Sequence, residues 1–274
     1  MSHNNQKKIA TINDISGFGR CSISVTLPIV SALKIQCCPL PTSIFSNHTG
    51  FDSFFYTDFT QHMQAYMNEW HKLGLRFNGI LTGFLGSPEQ IDLVQQFFKL
   101  FKDEKTIVVV DPVMGDYGKL YRTYSTKLAN ELGKLVPFAT ILTPNLTEAC
   151  FLTGNEYYPD MSNAEVFDIC RKLSSWGPHK IVITGLERGN QFDNIIYEEG
   201  REPTIVSAQR IGPCRSGTGD VFSSIVIADA VNEVDFVTSI QHASKFIEKA
   251  MRRALELDLP LTDGVCFEEL LQEL

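Results

Sequence analysis

Short apolar runs alternate along most of the chain with stretches in which apolar residues recur every three or four positions. The first kind predicts strands and the second predicts amphipathic helices. The predicted strands cover residues 8–13, 36–45, 79–82, 106–110, 138–142, 180–184, 194–197 and 204–207. The predicted helices cover residues 21–33, 62–72, 88–101, 221–231, 237–256 and 267–272. This alternation predicts an α/β fold with a mostly parallel central sheet, helices on both faces and two antiparallel strands at the far edge.

Local residue chemistry refines two of these elements. Pro39 and Pro41 lack the N–H that a central strand needs, so residues 36–45 are predicted to be an edge or broken strand. Ser87 is followed by Pro88, which is the cap and first-turn pattern of a helix start. The aromatic stripe of that helix is interpreted as core packing.

Composition limits the protein class. The chain has 274 residues, of which 43% are apolar and 20% charged, and no repeat or linker divides it. One domain over residues 1–274 is predicted, with residues 1–7 as a flexible N-terminal tail. No apolar run approaches the roughly 20 residues that span a bilayer, and no signal peptide is recognised at the N-terminus. Seven cysteines without metal-ligand spacing favour reduced thiols and a cytoplasmic location.

The net charge of −8 comes without a cluster of basic residues, which argues against nucleic acid as a partner. Phosphate binding would therefore depend on backbone amides, metal ions and a few placed cations. The segment Gly217-Thr218-Gly219-Asp220 runs directly into an apolar helix. A helix that begins at a glycine turn offers unpaired N–H groups and its positive dipole end to an anion. Asp220 would then lie beside a bound phosphate, although a plain glycine turn is the simpler interpretation of this segment alone.

Polar residues follow two other predicted strands. Asp111 and Asp116 lie in the loop after one strand, and Asn145 and Glu148 lie after the next. Parallel sheets bind ligands at their carboxyl edges, and oxygen ligands of this kind suit Mg²⁺. Each pair has a structural alternative, a turn for Asp111-Pro112 and a helix capping box for Asn145 and Glu148.

Five motifs in order resemble the successive signatures of pyridoxal kinases, a branch of the ribokinase-like superfamily. They are Ser46-Asn47-His48-Thr49-Gly50, Thr82-Gly83-Phe84-Leu85-Gly86-Ser87, Asp111-Pro112-Val113-Met114-Gly115-Asp116, Thr143-Pro144-Asn145-Leu146-Thr147-Glu148 and Ser216-Gly217-Thr218-Gly219-Asp220. The similar region covers roughly residues 8 to 256. The resemblance implies a three-layer α/β/α sandwich and ATP-dependent phosphorylation of the 5′-hydroxymethyl group of vitamin B6 vitamers.

The resemblance also implies roles for individual residues. Asp220 is expected to be the general base, with Gly217, Thr218 and Gly219 as the anion hole. The expected substrate contacts are Asp14, Ser16, Thr49 and Phe84. The expected ATP contacts are Asp111, Asp116, Thr184, Ser216 and Gly217. The expected metal motif for Mg²⁺ is Asn145, Glu148 and Asp111. A K⁺ requirement stays open, and a homodimer is implied by the family alone.

Two positions depart from the family pattern. Asp14 stands where a serine is frequent, and its carboxylate could pair with a cationic ring nitrogen or an aminomethyl group, which suggests a preference for pyridoxamine. Phe84 stands where a tyrosine is frequent. Residues 13–19 partly resemble hydroxymethylpyrimidine kinases of thiamine synthesis, which remain the alternative enzyme, but those relatives usually end the anion hole in Gly-Thr-Gly-Cys. A catalytically silent B6 or nucleotide sensor is the non-enzymatic alternative.

Overall fold

The computed structural model describes residues 2–274, and its core is one nine-stranded sheet. The strands of this sheet are β1 (Lys8–Phe18), β2 (Gln36–Asn47), β3 (Tyr56–Asp58), β4 (Gly79–Thr82), β5 (Ile107–Val110), β8 (Ile141–Leu142), β9 (Lys180–Arg188), β10 (Gln191–Glu198) and β11 (Thr204–Gln209). Their spatial order is β11-β10-β9-β8-β5-β4-β1-β2-β3. A separate two-stranded hairpin consists of β6 (Gly115–Asp116) and β7 (Lys119–Leu120).

The central six strands, from β2 to β9, are parallel. The pairs β9–β10, β10–β11 and β2–β3 are antiparallel. From β1 the chain proceeds to β2 on one side and later returns to β4 on the other side. The point between β1 and β4 is therefore a topological switch point, where a crevice opens at the carboxyl ends of the strands and ligands bind in such folds.

Within the described residues 2–274, eight α-helices cover the two faces. They are α1 (Ile23–Ala32), α2 (Thr60–Lys72), α3 (Pro88–Phe101), α4 (Thr126–Leu132), α5 (Leu146–Thr153), α6 (Asn163–Ser174), α7 (Thr218–Val231) and α8 (Phe236–Glu256). Two hydrophobic clusters form the core, because alternate strand residues point to opposite faces. Helices α1, α7 and α8 pack on one face, and α2 to α6 pack on the other. The predicted three-layer fold with a mostly parallel sheet is confirmed.

Several elements differ from their predicted bounds. The predicted strand over residues 138–142 is wrong at its start, because Phe138 ends a 3-10 helix that contains Pro137, and only Ile141–Leu142 forms β8. Pro137 lacks the N–H that a strand ladder would use. The C-terminal helix is also 3-10 in type and spans Glu268–Glu273. Strands β3, β6 and β7 were not predicted, nor were helices α4 and α6.

The predicted edge character of β2 agrees with its pairing. Strand β3 covers β2 only at Ser43–Phe45, so Pro39 and Pro41 lie before the paired part of that edge. Ser87 caps α3 and accepts a hydrogen bond from the backbone N–H of Gln90 at 3.2 Å, and the apolar stripe of α3 is buried in the core as expected. No helix among residues 2–274 is long and apolar enough to cross a membrane. The single-domain assignment stays a prediction.

Candidate active site

A cavity of about 910 Å³ opens at the carboxyl edge of the parallel strands, where the switch point lies. Every site residue that was predicted from the sequence lines this cavity. These residues are Asp14, Ser16, Thr49, Phe84, Asp111, Asp116, Asn145, Glu148, Thr184, Ser216, Gly217, Thr218, Gly219 and Asp220. Motifs up to about 200 positions apart in the chain therefore converge on one space, because parallel strands present their carboxyl ends on the same side.

The start of α7 forms an anion cradle. Gly217 is the N-terminal cap residue, with φ of 87°, and a β-carbon at this position would lie 2.1 Å from the carbonyl oxygen of Arg20. Only glycine fits such a left-handed and crowded turn. Helix α7 bonds begin with Val221 N–H to the Gly217 carbonyl, so the N–H groups of residues 218–220 have no partner within the helix. A β-carbon on Gly219 would meet no atom within 4 Å, which leaves open space over these amides.

The cradle is anchored from behind. Buried Arg215 donates hydrogen bonds from its guanidinium to the carbonyl oxygens of Leu259 and Pro260, both at 2.7 Å. The carbonyl of Ser216 accepts a bond from the N–H of Val265 at 3.1 Å. These contacts fix the chain on the N-terminal side of Gly217. The geometry of the turn is therefore set before any ligand arrives.

Asp220 lies in the first turn of α7 and is partly exposed to the cavity. Its carboxylate accepts hydrogen bonds from the side chain of Asn13 at 3.3 Å and from the backbone N–H of Ser22. Burial raises the pKa of Asp220 to about 7, although these hydrogen bonds lower it, and nearby Asp14 raises it further. A carboxylate with a pKa near neutrality is a better proton acceptor than one with the usual value.

This pKa predicts the pH dependence of any reaction in which Asp220 accepts a proton. The carboxylate is the active form, so kcat/KM is expected to rise with pH up to about 7 and then level off. The measurement is a pH–rate profile of the wild-type protein and of Asp220→Asn. The variant should lack the limb near pH 7, and an unchanged limb would assign it to another group.

Asp14 lies beside Asp220 at the end of the cavity nearest the switch point. It is 5% exposed, and its two carboxylate oxygens accept hydrogen bonds from Ser22 Oγ at 2.6 Å and Ser16 Oγ at 3.0 Å. Burial raises the pKa of Asp14, while the two hydroxyl groups lower it. Ser16 therefore influences the cavity by holding the Asp14 carboxylate in place. The two carboxylates form a negative pocket wall that suits a cationic group.

Aromatic side chains shape the same end of the cavity. Phe84 packs edge-on against Phe45 at 5.9 Å and against Tyr124 at 5.7 Å between ring centroids. Thr49 follows His48, whose imidazole accepts the Gly50 N–H at 3.1 Å and lies 2.7 Å from the carbonyl oxygen of Thr262. The histidine thus orders the Thr49 loop. Apolar rings beside charged groups would suit a flat heteroaromatic ring.

Asn145 and Glu148 form the capping box that was the structural alternative. Asn145 caps α5 and accepts a bond from the Glu148 N–H, and Glu148 accepts one from the Asn145 N–H, both at 2.9 Å. The other oxygen of Glu148 accepts the Met114 N–H at 3.1 Å, and Asn145 Nδ2 donates to the Gly115 carbonyl at 2.8 Å. Both residues thus fix the loop that carries Asp111 and Asp116.

Metal binding by side chains alone is not supported by this geometry. No group of three or more His, Cys, Asp or Glu residues within residues 2–274 is arranged to hold a metal ion. Glu148 is 3% exposed, and burial raises its pKa to about 8 despite its backbone hydrogen bonds. Burial also raises the pKa of Asp111 well above its usual range, as do Glu148 and Asp220. The cluster brings several carboxyl groups together on one wall of the cavity, and a cation that arrives with a ligand would favour their charged forms.

The remaining predicted ATP contacts lie at the other end of the cavity. Asp116 belongs to the hairpin strand β6. The residue as a whole is exposed, but its carboxyl group is partly shielded from solvent by the protein, and this desolvation raises its pKa. Thr184 in β9 pairs with Asn145 through a parallel bridge, and its N–H donates to the Pro144 carbonyl at 2.9 Å. The cradle lies between this end and the aromatic end. The cavity therefore has room for two ligands on either side of the free amides.

Two residues of the site were missed by the sequence argument. Asn13 contacts Asp220, and Ser22 contacts both Asp14 and Asp220. Ser22 has φ of 56° and ψ of −138°, a strained conformation for a residue with a side chain. Asn13 directly precedes Asp14, a predicted site residue, and this adjacency in the sequence could have identified Asn13 as a candidate. Nothing in the sequence pattern indicates the strained backbone of Ser22.

Comparisons with known proteins agree with this geometry. The family model described as phosphomethylpyrimidine kinase matches residues 29–261. A solved structure assigned to the phosphomethylpyrimidine kinases from Bacteroides thetaiotaomicron is 34% identical, with a TM-score of 0.97, and the match covers 100% of this chain and 95% of that one. A second crystal form, described as containing pyridoxal, is 33% identical, with a TM-score of 0.95 over 98% of this chain and 96% of that one.

Similarity also extends to curated sequences. The pyridoxal kinase of Arabidopsis thaliana is 30% identical over 203 residues, which are 69% of this chain and 63% of that protein. The chain spans about three fifths of the length of the first curated relatives it matches, 63% and 59%. The full-length structural matches and the family model together settle the membership. The chain belongs to the phosphomethylpyrimidine kinase family, and the curated proteins that it resembles include pyridoxal kinases.

Proposed function

We propose that this protein transfers the γ-phosphoryl group of ATP to the 5′-hydroxymethyl group of pyridoxal, pyridoxine or pyridoxamine. The single observation that carries the proposal is the position of Asp220, a partly exposed carboxylate in the same helical turn as three backbone amides that have no partner within the helix, of which the Asp220 N–H donates to its own carboxylate. A proton acceptor and an anion cradle are the two groups that phosphoryl transfer to an alcohol requires from a protein. The aromatic end of the cavity offers a place for the pyridine ring.

In this proposal Asp220 takes the proton from the substrate hydroxyl group while the oxygen of that hydroxyl group forms a bond to the γ-phosphorus of ATP. The bond from that phosphorus to the β–γ bridging oxygen breaks, and ADP leaves. The amides of residues 218–220 and the left-handed turn at Gly217 hold the transferring group and stabilise its charge. Ser216, Asp111, Asp116 and Thr184 are proposed to contact the nucleotide. Positioning and charge stabilisation supply most of the acceleration in reactions of this class.

Mg²⁺ is proposed to enter with the nucleotide. It prefers few protein oxygens together with water and phosphate oxygens, and within residues 2–274 the Asp111 carboxylate, unlike that of Glu148, accepts no backbone hydrogen bond. Asp111 would hold the ion directly or through water. Asn145 and Glu148 would contribute through water, because they already bind backbone groups. When bound, the ion neutralises phosphate charge.

A panel of acceptors tests the proposal. ADP release from MgATP would be measured with pyridoxal, pyridoxine, pyridoxamine and hydroxymethylpyrimidine, each offered separately. We expect turnover on a B6 vitamer. The family model and two curated relatives carry pyrimidine kinase names, so turnover on the pyrimidine alone would assign the protein to thiamine synthesis. Failure of all four acceptors would favour a silent sensor.

Asp14 predicts which vitamer is preferred. Its buried carboxylate is expected to pair with the aminomethyl group of pyridoxamine, so Asp14→Ser should lower the ratio of pyridoxamine to pyridoxal turnover by about tenfold. The measurement is kcat/KM for both vitamers. Asp229→Asn is the matched control, because Asp229 is also buried and pairs with His242 at 2.9 Å outside the cavity lining. An unchanged ratio in Asp14→Ser would rule out this role.

The assembly and the location are proposed on different grounds. A homodimer is proposed from the family resemblance, and a cytoplasmic location is proposed from seven cysteines without metal-ligand spacing. A K⁺ requirement is likewise open, and it is tested by turnover in K⁺ against Na⁺ buffers.

A further inference from the structure

We propose that Asn13 is a positioning residue for phosphoryl transfer. Its side-chain amide fixes the position of the Asp220 carboxylate relative to the proposed substrate-binding residues Asp14 and Phe84. This inference rests on the proposed function, because it gives Asp220 the part of proton acceptor. It concerns a residue that is not itself expected to touch the reacting atoms.

Asn13 makes three hydrogen bonds to three parts of the site. Its Oδ1 accepts the backbone N–H of Asp14 at 2.9 Å and the backbone N–H of Phe84 at 2.8 Å. Its Nδ2 donates to Asp220 Oδ1 at 3.3 Å. Asn13 is 3% exposed, so water does not compete freely for these groups. One side chain thereby links the middle of β1 and the segment after β4 to the first turn of α7, at the switch point.

The orientation of the amide follows from its surroundings. Two backbone N–H groups need an acceptor, so the oxygen must face Asp14 and Phe84, and the nitrogen must then face Asp220. Gly83 closes the space on one side, because a β-carbon there would lie 2.3 Å from Asn13 Nδ2. The side chain therefore has little room to rotate. A carboxylate at position 13 could accept the same two N–H groups but could not donate to Asp220 when ionised.

Within residues 2–274, no Lys, Arg or His side chain forms an ion pair with Asp220. The titratable groups that influence it or respond to it are Asp14, Asp111, Cys21 and Tyr121, which are neutral or acidic. Orientation of the carboxylate therefore depends on neutral donors. These are the Asn13 amide, the Ser22 N–H and the N–H of Asp220 itself. Of the three residues, Asn13 alone also binds the backbone N–H groups of both Asp14 and Phe84.

A double-mutant cycle tests the link. Asn13→Asp keeps the acceptor for Asp14 and Phe84 but places a carboxylate against Asp220. We expect kcat to fall about 10- to 100-fold, the value of a hydrogen bond to a charged group, with the KM for MgATP near its wild-type value. We expect Tm to fall by about 4 °C. Adding Asp220→Asn exchanges donor and acceptor, so Tm should return to that of Asp220→Asn, and kcat should fall no further than in that single variant.

Asn78→Ala is the matched control. Asn78 Oδ1 accepts the Lys8 N–H at 3.0 Å, at the opposite end of the same strand. Its effect on Tm should be equal with and without Asp220→Asn, and kcat should be unchanged. The inference is wrong if Asn13→Asp lowers kcat by the same factor, and Tm by the same amount, in the wild-type protein and in Asp220→Asn. If the wild-type protein lacks kinase activity, the proposed function fails, while the Tm cycle still decides whether the Asn13–Asp220 link exists.

Discussion

Replacement of Asp220 by asparagine is expected to lower kcat by about 10²- to 10⁴-fold, the usual contribution of a positioned base. The reason is geometric, because Asp220 is the carboxylate within the turn that forms the anion cradle. An asparagine has the same shape and can still accept bonds from Asn13 and Ser22. The cradle amides are backbone groups and are untouched, so the KM for MgATP should stay close to that of the wild-type protein.

Stability should move in the opposite direction in this variant. The folded-state pKa of Asp220 is raised to about 7 from a usual value of 3.8. A raised acid pKa contributes stability that is fully present below the unfolded-state value and is lost as pH rises through the folded-state value. At pH 8 the wild-type protein therefore carries a buried charge that Asp220→Asn lacks. Thermal melts at pH 5 and pH 8 should show the Tm advantage of the variant growing with pH.

Asp229→Asn serves as the control for both measurements. Asp229 lies on the same helix, is buried and contacts His242, but it does not line the cavity. We expect its kcat to equal that of the wild-type protein. Full activity of Asp220→Asn, against this control, would show that another group accepts the proton.

Gly219→Ala is expected to lower kcat by about 10²- to 10³-fold, as loss of an anion-hole contact commonly does. A β-carbon at this position meets no protein atom within 4 Å, so the folded protein has room for it. This open space faces the cavity and is where the transferring phosphoryl group is proposed to bind. Alanine also favours a helix more than glycine does, so Tm should be unchanged or higher.

This combination separates binding from folding. Gly133→Ala is the matched control, since Gly133 has helical dihedral angles and an added β-carbon would make only an ordinary contact, 3.9 Å from Leu152. Its activity should be unchanged. Gly217→Ala should instead reduce both activity and Tm, because its β-carbon would clash with the Arg20 carbonyl. Unimpaired turnover by Gly219→Ala would place the phosphoryl group elsewhere.

The outline of this site could be predicted because its chemistry lies at strand ends. Asp111, Asn145 and Gly217 each follow or begin a regular element, and parallel strands bring such positions to one edge. The alternation of strands and helices likewise fixed the layers. Asn163–Ser174 begins with a capping box of Ser162 and Glu165, so this unpredicted helix had a readable signal.

Other features depend on tertiary contacts that no local pattern contains. Strands β6 and β7 have two residues each, which is too short for any periodicity. Asn145 and Glu148 turned out to be a capping box that supports a site, so the structural and functional interpretations were not exclusive. The role of Asn13 arises only when Phe84 and Asp220, more than 70 and 200 positions away, are brought to it.

Direct identification of the product tests the central proposal most sharply. The purified protein would be incubated with MgATP and pyridoxal, and the product examined by ³¹P NMR and mass spectrometry, with Asp220→Asn in parallel. We expect pyridoxal carrying one phosphate on its 5′ oxygen, formed together with an equal amount of ADP and much more slowly in the variant. ATP left intact, or phosphate found only on hydroxymethylpyrimidine when both acceptors are present, would contradict it.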